Sequence, residues 1–228
     1  MCGLFAMSSK VPSTVNYSLD EFAKHGGVTY SNRSGWGIAY YHDRDAFLVK
    51  EPEPAADSPW AKFISEQDVE SDSVIAHVRL ATIGTPTLQN THPFKRELGG
   101  HAHVFAHNGT LNGLHDKVSA DKLAYHPIGD TDSELAFCVL LDRLKSVWTS
   151  PRRIPSAEDR LAAFADFAAE MAGFGSVNFL YSDGDILFVH GHRRIYESNG
   201  QFTDPQPPGL SMRNCMACQR TPNGRVKG

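Results

Sequence analysis

The apolar positions of this 228-residue chain fall into three successive regimes. The first half is dominated by short runs with a two-residue rhythm. "CGLFAMS" and "SVIAHVRLA" predict buried strands, and "SGWGIAYYHD" mixes apolar and aromatic residues as a strand does. "AFLVKE" is placed to pair with it as a hairpin across "HDRD". Two helices interrupt these strands, one near "LDEFAKH" and one at "SPWAKFISE", where Ser58 stands as N-cap and Pro59 opens the first turn. After a turn-rich stretch, "AHVFAHNG" predicts a strand ending in a glycine turn.

The second regime has apolar residues three and four apart. "DTDSELAFCVLLDRLKSVW" and "SAEDRLAAFADFAAEMAGF" both carry that spacing behind capping residues and predict two helices. The third regime returns to strands: "SVNFLYS" and "ILFVHG" joined by "DGD", a hairpin signal, with "RRIYES" expected to add a third. Strands, then two helices, then strands do not make the regular alternation of a doubly wound sheet. A layered α+β architecture is expected, with residues 1–228 as one domain and an irregular tail, proline-rich and then basic, from about residue 204.

Composition narrows the function classes. Hydrophobic content of 41% and charged content of 21% belong to a globular protein. A formal net charge of −4 argues against a basic nucleic-acid surface. No stretch approaches the roughly 18 consecutive apolar residues of a membrane span, and the start lacks the features of a signal peptide. A cytoplasmic location is therefore expected. Cys138 lies on the apolar face of its helix and reads as an inert core thiol, and the expected compartment is reducing.

Three places can carry chemistry. Cys2, once Met1 is trimmed, has a free α-amino group beside its thiol, and such an amine can relay the thiol proton; a buried strand cysteine is the alternative. In "AHNGT", Asn108 offers a side-chain amide and Gly109 a backbone N–H, two donors that make an oxyanion hole if the chain turns sharply there; an ordinary Asn-Gly hairpin turn is the alternative. Arg79 can hold a carboxylate by two parallel hydrogen bonds, or it can serve a structural ion pair. Asp132 can hold an ammonium, or it can cap the helix that follows.

Taken in order, "MCGLFAM", "SGWGIAYY", "HVRLATIG", "THPF", "FAHNGTLNG" and "DTDSE" resemble the glutaminase domain of class II glutamine amidotransferases, in the N-terminal-nucleophile hydrolase superfamily. The resemblance is closest to the compact stand-alone branch, which includes the YafJ-like amidotransferases and the γ-glutamyl amide hydrolase of ergothioneine biosynthesis. It implies a four-layer αββα sandwich with Cys2 as nucleophile and Asn108 and Gly109 as the oxyanion hole. It further implies that Arg79 binds the substrate α-carboxylate and Asp132 its α-amino group, with Thr82 as a secondary contact and Gly35 and Gly37 lining the pocket. The implied substrate is glutamine or another γ-glutamyl amide, opened through a Cys2 thioester. No cofactor or metal is implied.

The multidomain synthases of this family carry approximately Arg-Trp-Ala-Thr-His-Gly where this chain has Arg79-Leu80-Ala81-Thr82-Ile83-Gly84. Leu80 and Ile83 put a standard ammonia channel in doubt. The chain is expected either to supply ammonia to a separate synthase or to hydrolyse a γ-glutamyl compound outright. Two readings stand beside this one: a catalytically silent regulatory or binding subunit, and an N-terminal-cysteine acylase of other amides. A metal site at His101, His103 and His107 is disfavoured because no acidic ligand stands nearby; His77 and His107 are expected to orient strands by hydrogen bonding. Cys215 and Cys218 form a Cys-x-x-Cys pair without a second one to complete a zinc site, and read as exposed thiols in a flexible tail.

Overall fold

In a computed structural model the described residues are 2–81, 83–198, 201–213, 219–220 and 226–227. Two four-stranded sheets, each wholly antiparallel, form the centre. The first runs in the order β1 (Gly3–Ser13), β4 (Ser71–Val78), β2 (Trp36–His42), β3 (Asp45–Glu51). The second runs β5 (Phe94–Leu98), β6 (His101–Leu111), β7 (Gly175–Ser182), β8 (Leu187–His190). Alternation along each strand divides its side chains between two faces. Val74, Ala76 and Val78 of β4 join Leu19 of helix α1 (Asn16–Lys24) and Ile64 of helix α2 (Pro59–Glu66) in an outer core. Ile75 of the same strand instead meets Val104 and Ala106 of β6 between the sheets.

The outer face of the second sheet is covered by helices α4 (Asp132–Leu144) and α5 (Ala157–Met171), with the short helix α3 (Leu114–Lys117) between β6 and α4. Phe105, Phe137, Phe167 and Phe179 pack together there, the first two stacked with centroids 5.3 Å apart. The result is helix, sheet, sheet, helix: the expected α+β sandwich. Tyr41 ties the sheets across the middle layer, its hydroxyl donating to the Ser182 carbonyl at 2.7 Å. "DGD" forms the expected hairpin, with the Asp183 carboxylate accepting the Asp185 and Ile186 N–H groups. Arg160 of α5 clasps that turn through Asp183 at 2.9 Å and Asp185 at 2.7 Å. Among the described residues no helix is long and apolar enough to cross a membrane.

Several expectations are corrected. β6 does not end at Asn108–Gly109 but continues to Leu111, pairing Gly109 with Val177. β5 is a strand despite its charged "KRE" centre, because it is an edge strand with one neighbour. "RRIYES" does not extend the second sheet: Arg194 bridges to Gln206, and Glu197–Ser198 pairs with Gln201–Phe202 in a separate ribbon.

Candidate active site

Antiparallel register sets the geometry. β1 pairs Gly3 with Val78, so Cys2 and Arg79 emerge side by side at one end of the first sheet. The Cys2 thiol is half-buried and held by the backbone of a single residue: Leu80 N–H donates to Sγ at 3.1 Å, and Sγ–H donates to the Leu80 carbonyl at 3.3 Å. Burial pushes the thiol up from its ordinary pKa, while the Leu80 hydrogen bond and the Arg79 charge pull it down.

The Arg79 guanidinium is buried and surrounded by a collar of carbonyls. Nη2 donates to Ile83 at 2.7 Å and Gly84 at 3.2 Å, and Nη1 donates to Thr85 at 3.1 Å. No carboxylate forms a salt bridge with it among the described residues, so the ion-pair reading gives way to a cation fixed by its own loop. Burial lowers its pKa, an effect that Cys2, Asp130 and Asp132 oppose. Of the five guanidinium N–H donors, Nε–H and one on Nη1 have no acceptor among the described residues.

Asn108 projects from β6 of the second sheet and donates its side-chain amide to the Cys2 carbonyl at 2.5 Å. The turn expected here is absent; the extended strand itself brings Asn108 to Cys2. Its own carbonyl accepts from Nδ2 of Asn178, the residue opposite it on β7. Asn178 also donates to Arg193 O and accepts His192 N–H, each at 2.9 Å, so the segment after β8 is fastened to the same strand. Gly109 admits nothing larger: a Cβ there would lie 1.8 Å from the Ser176 carbonyl oxygen.

Asp132 is the first residue of α4, and the cap is Thr131, whose hydroxyl accepts Glu134 N–H at 3.2 Å. The N-cap reading of Asp132 is therefore replaced by another role. Its Oδ2 accepts the Leu111 N–H at 2.6 Å and its Oδ1 the Ser133 N–H at 2.7 Å, which aims a buried carboxylate toward the end of β6.

Gly35 lies beside Arg79, its carbonyl accepting the Arg79 N–H at 2.8 Å. Gly37 sits where a Cβ would meet the His92 carbonyl at 2.3 Å. Thr82, Cys215 and Cys218 lie outside the described residues.

The histidines divide by environment. His107 Nε2 donates to Ser176 O at 3.1 Å and its Nδ1 accepts from Ser133 Oγ at 2.9 Å, the expected orienting role. His77 stacks on His92, the ring centroids 4.3 Å apart, and meets the His107 backbone of the second sheet, although neither ring nitrogen makes a well-aligned hydrogen bond among the described residues. Burial holds His77 neutral, its pKa lowered to about 3. His103 bonds Tyr181 and Leu98 O, while His101 packs on Trp148; no metal-ligating group of three forms among the described residues. Cys138 is buried, its thiol pushed up to about 12 by desolvation, as a core thiol should be.

Residues 1–202 match the family model of class-II glutamine amidotransferases. The chain belongs to that family. It is 38% identical over 194 residues to an Escherichia coli protein named as a glutamine amidotransferase, YafJ, covering 83% of this chain and 72% of that one. A Haemophilus influenzae protein named likewise is 36% identical over 190 residues, 83% of this chain and 63% of its own length. The chain spans 63% of the length of that protein and 55% of the length of a Methanocaldococcus jannaschii relative. Among solved structures, a Pseudomonas aeruginosa protein described as a predicted glutamine amidotransferase superposes with TM-score 0.60 at 31% identity, covering 90% of this chain and 85% of that one. An enzyme described as the allosteric regulatory enzyme of purine biosynthesis shares the fold at 15% identity and TM-score 0.53, over 80% of this chain and 35% of its own.

The local pattern did not point to Asn178, Ser133 or the Leu80 peptide. Each acts through a partner distant in sequence, and a backbone amide leaves no residue signature.

Proposed function

We propose that this amidotransferase-family chain hydrolyses the side-chain amide of glutamine or a related γ-glutamyl amide through a thioester on Cys2. The observation that carries the reading is the convergence at Cys2: its thiol gripped by the peptide following Arg79, its carbonyl 2.5 Å from the Asn108 amide. Arg79 binds the α-carboxylate, Asp132 takes the α-ammonium, and Gly35, Gly37 and Thr82 line the pocket. With the residue before it removed, Cys2 presents an α-amine that accepts the thiol proton. The thiolate then attacks the amide carbon, and the oxyanion is held by the Asn108 side chain and Gly109 N–H. Collapse breaks the C–N bond, and the amine's extra proton goes to departing ammonia or amine. Water, deprotonated by the same α-amine, then cleaves the thioester to glutamate and regenerates the thiol. A reducing cytosol suits a mechanism that needs a free thiol at Cys2.

The test is glutamate and ammonia release from L-glutamine by protein whose N-terminal residue is confirmed by intact mass as Cys2. Activity is expected in the parent and none in Cys2→Ala. Unchanged activity in that variant rules out the thioester. A silent binding subunit would bind glutamine without turnover in either form. An acylase of other amides would show no dependence on Arg79 and Asp132.

A further inference from the structure

Arg79 and Asp132 stand on different elements, one on a loop of the first sheet and the other at the start of a helix over the second. A single buried side chain joins their supports. Asn90, 1% exposed, lies in the loop between β4 and β5, with both amide hydrogens and the amide oxygen engaged. Its Nδ2 donates to the Thr85 carbonyl at 3.1 Å and to Asp130 Oδ1 at 2.5 Å, while its Oδ1 accepts Asp130 N–H at 3.0 Å. Two acceptors on one side and a donor on the other fix which amide atom is nitrogen. The Thr85 carbonyl is the same one that receives Arg79 Nη1. Asp130 is two residues from Asp132. Both flanking loops place a glycine against this amide: a Cβ on Gly84 would lie 2.9 Å from Asn90 Nδ2, and one on Gly129 2.1 Å from Asn90 Oδ1. The approach of the two loops is therefore set by the Asn90 amide, with the Gly129 N–H also held at 2.7 Å by Glu134.

We propose that Asn90 is the positioning residue that sets the spacing between the carboxylate-binding Arg79 and the ammonium-binding Asp132, and so confers selectivity for substrates carrying both groups of an α-amino acid. The proposal rests on the roles given to Arg79 and Asp132 above. Asn90 touches neither Cys2 nor the scissile amide. Its loss widens or skews the clamp while leaving the nucleophile and the oxyanion donors in place.

Steady-state kinetics of the mature full chain test this with two substrates, L-glutamine and its des-amino analogue 4-carbamoylbutanoate. Asn90→Asp keeps the size and the acceptor but loses both donated bonds and sets a second carboxylate against Asp130. It is expected to raise KM for L-glutamine roughly tenfold or more, with kcat within about threefold. The preference for L-glutamine over the analogue, as a ratio of kcat/KM, is expected to fall roughly tenfold. Alkylation of Cys2 by iodoacetamide, which needs no clamp, keeps its parental rate. Gly129→Ala, which displaces the same amide from the other side, reproduces the loss of preference and serves if Asn90→Asp folds poorly. Equal losses on both substrates, or an unchanged preference in a folded variant, overturn the proposal. Arg79→Lys and Asp132→Asn run alongside. If neither raises KM for L-glutamine, the clamp assignment itself is wrong and the brace falls with it; if both do and the Asn90 variant does not, only the brace is wrong.

Discussion

The two sheets contribute to the site in different ways. The first brings Cys2 and Arg79, and holds them through irregular backbone: the Leu80 N–H and carbonyl on the thiol, three loop carbonyls on the guanidinium. The second brings Asn108, Gly109 and Asp132, held by regular strand register and by the end of a long helix. Their outer cores differ in the same sense. Over the first sheet lie helices of nine and eight residues; over the second, helices of 13 and 15 close a layer of packed phenylalanines. The difference is one of construction: the Cys2–Arg79 half of the site is held by loop backbone, and the Asn108–Asp132 half by strand register and a helix end.

The sharpest way to probe the rigid half is Asn108→Ala. It removes the donor proposed for the oxyanion and is expected to lower kcat about 10² to 10³-fold while changing KM little. A comparable change in KM alone, measured on L-glutamine, would assign Asn108 to ground-state binding and dissolve the division of labour between the sheets. A second effect concerns the cores. Phe167→Ala empties the centre of the phenylalanine layer and is expected to cost about 3–5 kcal/mol. Ile64→Val in the thinner layer is expected to cost about 0.5–1.5 kcal/mol. Urea unfolding compares them, and a larger loss at Ile64 would reverse the ranking of the two halves.

A third effect is one of pH. His77 and His103 are buried neutral with pKa values near 3, and burial lowers His92 and His107 as well. In the unfolded chain a histidine titrates near 6.5. Below that value the unfolded state binds protons that the folded state refuses, so their contribution is fully present above about pH 6.5 and lost as pH falls toward about 3. The urea midpoint should decline through that window, and less steeply in His77→Phe. A midpoint flat from pH 6.5 to 4 would mean that these rings are charged in the fold.

Much of the architecture is legible in periodicity. The helices over the second sheet show it best, because α4 and α5 present apolar stripes long enough to read. β5 was hidden because Lys95, Arg96 and Glu97 lie on an edge, where charge is tolerated. The Asn108–Gly109 pair misled for a different reason. Its local chemistry is that of a turn, and the glycine is required because the Ser176 carbonyl of a strand some 70 residues away and the His107 ring press against it. The site's residue types were visible in "MCGLFAM", "HVRLATIG", "FAHNGT" and "DTDSE", since each carries its chemistry in its side chain. The braces were not: Asn90 and Asn178 look like loop and strand asparagines until their partners are in view.

The central claim is that Cys2 carries the glutamyl group. Rapid acid quench of the mature protein with L-glutamine, followed by intact mass and peptide mapping, tests it directly. The account predicts a γ-glutamyl adduct on Cys2 that forms before glutamate accumulates and that builds up less in Asn108→Ala, whose acylation is slowed. Glutamate release with no adduct at any quench time, or an adduct on another residue, would contradict it.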